Sequence, residues 1–231
     1  PILVPALDAT LSELDSNPQL ARGEWELAAG DSGEVSLLAP DGATPREKKT
    51  HIRLAGDLLA ISAGVFSQAN VALRADLADA VHEAAGEGEL ALELFAGAGF
   101  LTLGLARRFR RVVAIESNPR AVRDLRDNLS AARIDSVEVR GAPVEEAQED
   151  AALRQLRPDV VVLDPPRTGL PRGVASSLEA ARVVYLSCDP ATLARDLASL
   201  EERGFRLVSV TGFDLFPQTP HIEALAVAER V

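Results

Sequence analysis

At 231 residues, 47% of them hydrophobic and 26% charged, the chain is long enough for one large α/β domain or one domain with a small appendage. Its 24 basic and 35 acidic residues leave a net charge of −11, so no whole-molecule field draws it to nucleic acid, and any RNA contact has to run through a local groove. A single cysteine excludes an intrachain disulfide framework and a cysteine-ligated cluster, and no apolar run reaches membrane length.

Pro1-Ile2-Leu3-Val4 lacks the basic region and apolar core of a signal peptide. The expected protein is therefore cytoplasmic, with no membrane contact. Methionine is absent throughout, the first position included, which is the pattern of an N-terminally truncated piece.

Residues 1–63 are expected to form a small N-terminal α+β subdomain. A short helix near Ala9 to Leu14 leads into a hairpin, Glu24 to Leu27 and Glu34 to Leu38, across the turn Gly30-Asp31-Ser32-Gly33. Pro40 to Pro45 reads as a loop, and Leu58 to Ile61 as a strand. From residue 64 to 231 the pattern becomes a regular alternation. Helices are expected over 71–85, 99–107, 118–132, 144–156, 171–180 and 190–203. Strands are expected over 89–94, 112–116, 136–140, 159–164 and 182–187, followed by two consecutive strands at 205–212 and 221–228. Valine-rich strands alternating with amphipathic helices predict an α/β domain: a mostly parallel sheet covered on both faces, with ligands at the strands' carboxyl ends. Seven strands with a closing antiparallel pair resemble the Rossmann-like fold of S-adenosylmethionine-dependent methyltransferases. Two arginine- and lysine-rich stretches, Arg107, Arg108, Arg110 and Arg111, and Arg46, Lys48, Lys49 and Arg53, read as solvated faces.

Four strand ends carry candidate chemistry. After Leu90 to Leu94, the turn Phe95-Ala96-Gly97-Ala98-Gly99 places two glycines where a ligand can approach the backbone and helix N–H groups. Glu116 ends the next strand, at the spacing where an acid accepts hydrogen bonds from ribose hydroxyls, and Asn118 and Pro119 then cap and start a helix. Asp164-Pro165-Pro166-Arg167 follows the strand Val160 to Leu163, so that a carboxylate and a guanidinium sit on a rigid turn where they can recognise a base or polarise a carbonyl. Cys188 stands where another strand ends, with Asp189 as N-cap and Pro190 as first helical residue. A thiol beside a helix N-terminus is expected to have a lowered pKa and nucleophilic character.

The segments Phe66-Ser67-Gln68-Ala69-Asn70, Leu94 to Gly99, Asp164 to Arg167, Ser187 to Asp196 and Phe216 to Glu223, collinear over nearly the whole chain, resemble the RNA 5-methyluridine methyltransferases. That resemblance implies methyl transfer from S-adenosylmethionine to C5 of a uridine in tRNA or 23S rRNA. Cys188 would be the nucleophile that adds to C6, and Glu223 the base that removes the C5 proton. It further implies that Gln68, Phe95, Gly97, Gly99, Glu116 and Asp164 line the cofactor and target-base pocket, with Phe66 and Arg167 against the substrate. No metal is expected, nor is an RNA-binding TRAM barrel or an iron-sulfur cluster within these residues, and the protein is expected to be monomeric. Phe100 stands where relatives often carry a small polar residue, Ser67 where many have a second aromatic, and Ala142-Pro143 where a polar adenine contact is common. His221 is read as a loop hydrogen-bonder. The competing readings are a methyltransferase acting without a covalent step on another base or a small molecule, and a catalytically silent RNA-binding module.

Overall fold

A computed structural model describes residues 5–16, 23–43 and 49–231. Helix α1 (Pro5–Asp15) precedes strands β1 (Glu26–Ala29) and β2 (Val35–Leu38), which pair antiparallel with Ala29 opposite Val35 across the expected glycine-flanked turn. The loop expected from Pro40 begins as a turn closed by the Gly42 N–H on the Ala39 carbonyl at 2.8 Å, and its last two residues lie outside the described residues, as do Arg46 and Lys48.

Strand β3 (Lys49–Leu54) is not anticipated from the sequence. It pairs with β4 (Asp57–Ser62) through Ala55 and Gly56, which both adopt positive φ, +49° and +91°. That is the two-residue turn whose twist suits a hairpin, but Ala-Gly lacks the Asn-Gly or Asp-Gly signature that announces it. Thr50, Ile52 and Leu54 point inward in strict alternation.

The remainder runs α2 (Arg74–Ala85), β5 (Gly88–Leu94), α3 (Thr102–Leu105), β6 (Phe109–Glu116), α4 (Pro119–Ala131), β7 (Val137–Gly141), α5 (Val144–Glu149), α6 (Ala151–Arg154), β8 (Val160–Leu163), α7 (Val174–Ser177), β9 (Arg182–Ser187), α8 (Pro190–Glu201), β10 (Phe205–Phe213) and β11 (Glu223–Arg230). The sheet order is β10-β11-β9-β8-β5-β6-β7, parallel except for β11, which runs antiparallel to both its neighbours. The seven strands and the antiparallel closing pair are as expected. The strand order reverses between β5 and β8, so ligand-binding loops are expected to open above that pair.

Successive residues of the central strands face opposite cores. Val160 and Val162 join Leu77 and Val81 of α2, Leu125 of α4, and Ile52, Leu59 and Ile61 of the second hairpin. Val161 and Leu163 join Tyr185, Val174, Leu193 and Leu200 on the other face. Each fully buried leucine or valine here contributes about 1.5–3 kcal/mol.

Four expected helices are shorter than their apolar pattern. Residues 71–73 form turns, with the Asn70 Oδ1 accepting the Ala72 and Leu73 N–H groups, each at 3.2 Å. At 99–107 only Thr102–Leu105 is helical, since Gly99 adopts φ +100°, outside the helical region, and residues 106–108 form turns. The 144–156 stretch is divided at Asp150, whose carboxylate accepts the Ala152 N–H at 2.8 Å and starts a second helix instead of continuing the first. The left-handed Gly173, φ +85°, delays α7.

The β3–β4 hairpin is fastened to α4 by buried polar side chains. Asp124 accepts the Ser62 N–H at 2.7 Å and the Ser62 hydroxyl at 2.8 Å, and pairs with the Lys49 Nζ at 2.9 Å. Asn128 accepts the Ala60 N–H at 2.9 Å and donates to the carbonyls of Ala60 and Ala98 at 3.1 and 2.9 Å. The hairpin thereby shares a core with the sheet, and Ile52, Leu59 and Ile61 form one wall of the cleft described next.

Candidate active site

Register determines which residues meet. Leu94 lies level with Ile115 on one side and Leu163 on the other, Leu163 level with Tyr185, and Ser187 with Ala224. The residues just past these positions therefore gather along the sheet's carboxyl edge: Phe95, Glu116, Asp164 and Cys188. One step beyond the last paired position, Cys188 falls opposite Glu223, which begins β11. A cleft of about 620 Å³ opens there, lined by Phe66, Gln68, Phe95, Gly97, Glu116, Asp164, Arg167, Cys188 and Glu223. All the sequence-predicted site residues except Gly99 share it.

Gly99 does another job. A side chain there would meet Leu125 and Leu103 at 2.8 and 2.9 Å, so its bareness lets the turn press onto helix packing, not onto a ligand. Gly97, by contrast, adopts φ +57° with no atom within 4 Å of the place a side chain would take. Phe95 is held at φ +65°, a left-handed conformation that a bulky residue adopts only when its surroundings impose it, and its ring lines the cleft.

The Glu116 carboxylate accepts the Gly97 N–H at 2.9 Å and the Asn118 N–H at 2.7 Å, one on each oxygen. It braces the glycine turn and keeps a lone pair free on each oxygen for a diol. Asn118 caps α4 on the Arg120 N–H at 2.9 Å, with Pro119 first in the helix, as expected. Asp189 caps α8 on the Ala191 and Thr192 N–H groups, both at 2.9 Å, also as expected. Phe66 stands at the cleft's rim, 72% exposed. His221 is exposed in the loop before β11, its N–H donating to the Thr219 hydroxyl and its ring edge-on to Phe216.

The expected lowering of the Cys188 pKa is not found. Burial pushes the thiol up, the Glu223 carboxylate pushes the same way, and the Arg167 guanidinium pulls back without prevailing. The cap carboxylate of Asp189 already occupies the first free N–H groups of α8, so the helix end has little left for the sulfur. The carboxyls are displaced too. Burial raises Asp164 to about 7; burial, with the Asp164 charge adding, raises Glu223 to about 7.

Sequence reading missed Glu93. It sits second from the end of β5, is 2% exposed and lines the cleft, and among the described residues its Oε2 has no hydrogen-bond partner. Burial pushes its carboxyl up to about 8, with Asp164 and Glu116 adding to the rise and the nearby Thr102 hydroxyl working against it. The signal was available, since an acid inside the apolar run Leu90 to Leu94 has no place in a two-sided core unless something uses it. The apolar wall from β3–β4 had no comparable signal. Among the described residues of the two arginine- and lysine-rich stretches, none lines the cleft. Arg107 pairs with Asp57, Arg110 with Glu89, Arg111 with Glu138, and Lys49 with Asp124 and Asp127. Among the described residues no helix is long and apolar enough to cross a membrane, and no cluster of metal-ligating side chains occurs.

The tRNA (Uracil-5-)-methyltransferase family profile matches residues 59–231, which takes in every cleft residue except Ile52. The chain belongs to that family. A 23S rRNA (uracil(1939)-C(5))-methyltransferase of Alkalilimnicola ehrlichii is 38% identical over 76% of this chain and 40% of its own length. One of the same name from Vibrio parahaemolyticus is 31% identical over 100% of this chain and 61% of its own. The crystal structure of the Pyrococcus abyssi tRNA (uracil-54, C5)-methyltransferase with S-adenosyl-L-homocysteine superposes with a TM-score of 0.69 at 30% identity, over 81% of this chain and 46% of that one. This family membership matches the mixed sheet, a Rossmann-like methyltransferase fold. The chain spans less than two thirds of the length of each of these relatives.

Proposed function

We propose that this chain is the catalytic part of an RNA uridine C5-methyltransferase that uses S-adenosylmethionine and works through a covalent cysteine adduct. In this reading residues 64–231 form the catalytic domain and residues 1–63 a small N-terminal subdomain, whose β3–β4 hairpin shares the domain's core. The observation that carries it is the placement of Cys188 opposite Glu223 at the sheet edge that also holds the open Gly97 turn and Glu116. The residues present fit the cofactor. The cleft offers carboxyls at Glu93, Glu116 and Asp164 to a cationic ligand, free lone pairs on Glu116 to a ribose, room beside Gly97, and an unpartnered buried oxygen on Glu93. When bound, S-adenosylmethionine supplies an electrophilic methyl group.

The chemistry asks for both residues. C5 of uracil is a weak nucleophile. Addition of the Cys188 Sγ to C6 pushes the ring electrons onto C5 and O4, and the enolate so formed takes the methyl at C5. C5 then still carries its proton. Glu223 removes it, the C5–C6 double bond re-forms, and the C6–S bond breaks to release the thiolate. Burial and the facing Glu223 hold the Cys188 thiol's pKa up, so the thiol gives up its proton on addition and the departing thiolate takes one back at the end, and each turnover releases one net proton, from C5. The uridine has to leave its stack to reach this edge, with Phe66 at the rim beside it.

The test uses RNA substrate and methyl-labelled cofactor on a denaturing gel. Cys188→Ala is expected to lose both product and adduct, while Glu223→Gln is expected to accumulate a labelled protein–RNA band because its adduct cannot lose the C5 proton. Methylation at the normal rate by Cys188→Ala would refute the covalent reading, and normal turnover by Glu223→Gln would move the base to another carboxyl.

A further inference from the structure

One buried carboxylate joins the two loops that carry the cleft's reactive groups. Helix α8 turns its Leu193 and Leu200 face to the core, and Asp196, 4% exposed, sits on that same face. An aspartate in an apolar stripe has to be fully bonded to be tolerated, and this one is. Its Oδ2 accepts the Tyr185 hydroxyl at 2.7 Å and the Leu170 N–H at 2.7 Å, while its Oδ1 accepts two N–H groups of Arg195 at 2.7 and 2.9 Å. Arg195 in turn donates to the carbonyls of Thr168 and Leu170 at 3.0 and 3.3 Å. Gly169, φ +72°, threads between these groups, and a side chain there would meet the Arg195 Nη2 and the Asp196 Oδ2, each at 2.5 Å.

The joined pieces are Tyr185 in β9, three residues before Cys188; α8, which starts two residues after Cys188 behind the Asp189 cap; and the Thr168–Leu170 stretch, which continues the Asp164-Pro165-Pro166-Arg167 turn. We propose that Asp196 is a positioning residue which locks the Arg167 turn to the strand and helix flanking Cys188, so that guanidinium and sulfur keep the arrangement the reaction needs. This rests on the functional reading above for its meaning, though not for its measurement. The Arg195-Asp196 pair lies within the motif that carries the family resemblance, and the covalent mechanism assigns it no part.

The bonding pattern selects the variant. In Asp196→Asn the shape stays, but one end of the amide becomes a donor. That end then faces either the Arg195 guanidinium or the Tyr185 and Leu170 donors, and the lock opens. Gly169→Ala opens it from the loop side, and Tyr185→Phe removes a single strut. Three readouts separate positioning from general weakening: kcat and KM for RNA, S-adenosylhomocysteine affinity by calorimetry, and the rate at which iodoacetamide alkylates Cys188, the chain's only cysteine.

Asp196→Asn and Gly169→Ala are expected to lose roughly 10- to 100-fold in kcat, with KM and cofactor affinity near wild type. Alkylation is expected to slow, because Arg167 no longer favours the thiolate. A merely loosened fold would instead expose the thiol and speed alkylation while weakening the cofactor. That result, or wild-type kcat and alkylation in these variants, overturns the proposal. Should Asp196→Asn not fold, Gly169→Ala and Tyr185→Phe carry the same comparison. Alkylation needs no RNA, so slowed alkylation in a protein that methylates no uridine would fell the functional reading and leave the lock standing. Normal alkylation in a protein that does methylate would do the reverse.

Discussion

Two buried acids lie on opposite sides of the glycine turn and are treated in opposite ways. Asp124, on α4, is fully buried and accepts a backbone N–H, a hydroxyl and a lysine. Glu93, at the end of β5, is 2% exposed, leaves an oxygen unpartnered and has Asp164 and Glu116 adding to its displacement. The first arrangement is what a carboxylate needs if its work is to hold two pieces of chain together. The second is unfavourable in the protein alone and makes sense where a cationic ligand completes it. Satisfaction of buried polar groups thus separates the hairpin junction from the cleft more sharply than burial does.

The largest expected effect breaks the satisfied side. Asp124→Ala leaves the Ser62 N–H without its acceptor and Lys49 without its buried partner, at a cost of about 3 kcal/mol in unfolding free energy. Urea denaturation of wild type and variant measures it. A loss within ~0.5 kcal/mol would mean the hairpin is held by its apolar side chains alone, and the contrast with Glu93 would lose its structural half.

The fold was legible where period and punctuation agreed. Valine-rich strands, the Asn118-Pro119 and Asp189-Pro190 helix starts and the consecutive final strands all reported local chemistry that tertiary packing did not override. Helix lengths were less legible, because apolar spacing continues through positions such as Asp150, where a side-chain cap divides the helix, and Gly173, where a left-handed backbone delays its start. Strand β3 was hidden by an Ala-Gly turn that the backbone accepts and composition does not advertise. In the cleft, the residues at strand ends could be read because a Rossmann-like sheet collects its strand ends along one edge. What spacing could not give was their environment. The thiol at a helix N-terminus rises in pKa because it is buried and because Glu223 faces it from β11, 35 positions along the chain, while a cap carboxylate has taken the N–H groups.

A smaller effect sharpens the unsatisfied side through pH. Glu93 is raised from 4.5 to about 8, so the folded state holds a proton that the unfolded chain releases. The stability it contributes is fully present below about 4.5 and is lost as pH rises through about 8. Asp164 and Glu223, both raised to about 7, slope the same way over a narrower window, whereas His82, lowered by burial, slopes the other way at mildly acid pH. The difference between Glu93→Gln and wild type cancels the groups the two share. The variant is expected to lose less stability between pH 5 and pH 8.5, and to be the more stable of the two at the alkaline end. Parallel melting curves across that range would show that Glu93 titrates normally and that the cleft is not an unsatisfied site.

The smallest expected change in stability belongs to Phe66, where comparison with Asp124 is cleanest. Its ring is 72% exposed on the rim of the cleft, so Phe66→Ala removes little buried surface and should shift unfolding by no more than ~0.5 kcal/mol. An exposed aromatic at the mouth of an acidic cleft is nonetheless suited to stack on an unpaired base, an interaction worth about 1–3 kcal/mol. At the low end of that range, kcat/KM for RNA should fall roughly fivefold through KM, with kcat and S-adenosylhomocysteine affinity unchanged. Steady-state kinetics with RNA varied at saturating cofactor reads this directly. A fall in kcat with constant KM would move Phe66 from substrate capture to the chemical step, and unaltered kinetics would make it an exposed apolar residue of the ordinary kind that every protein surface carries.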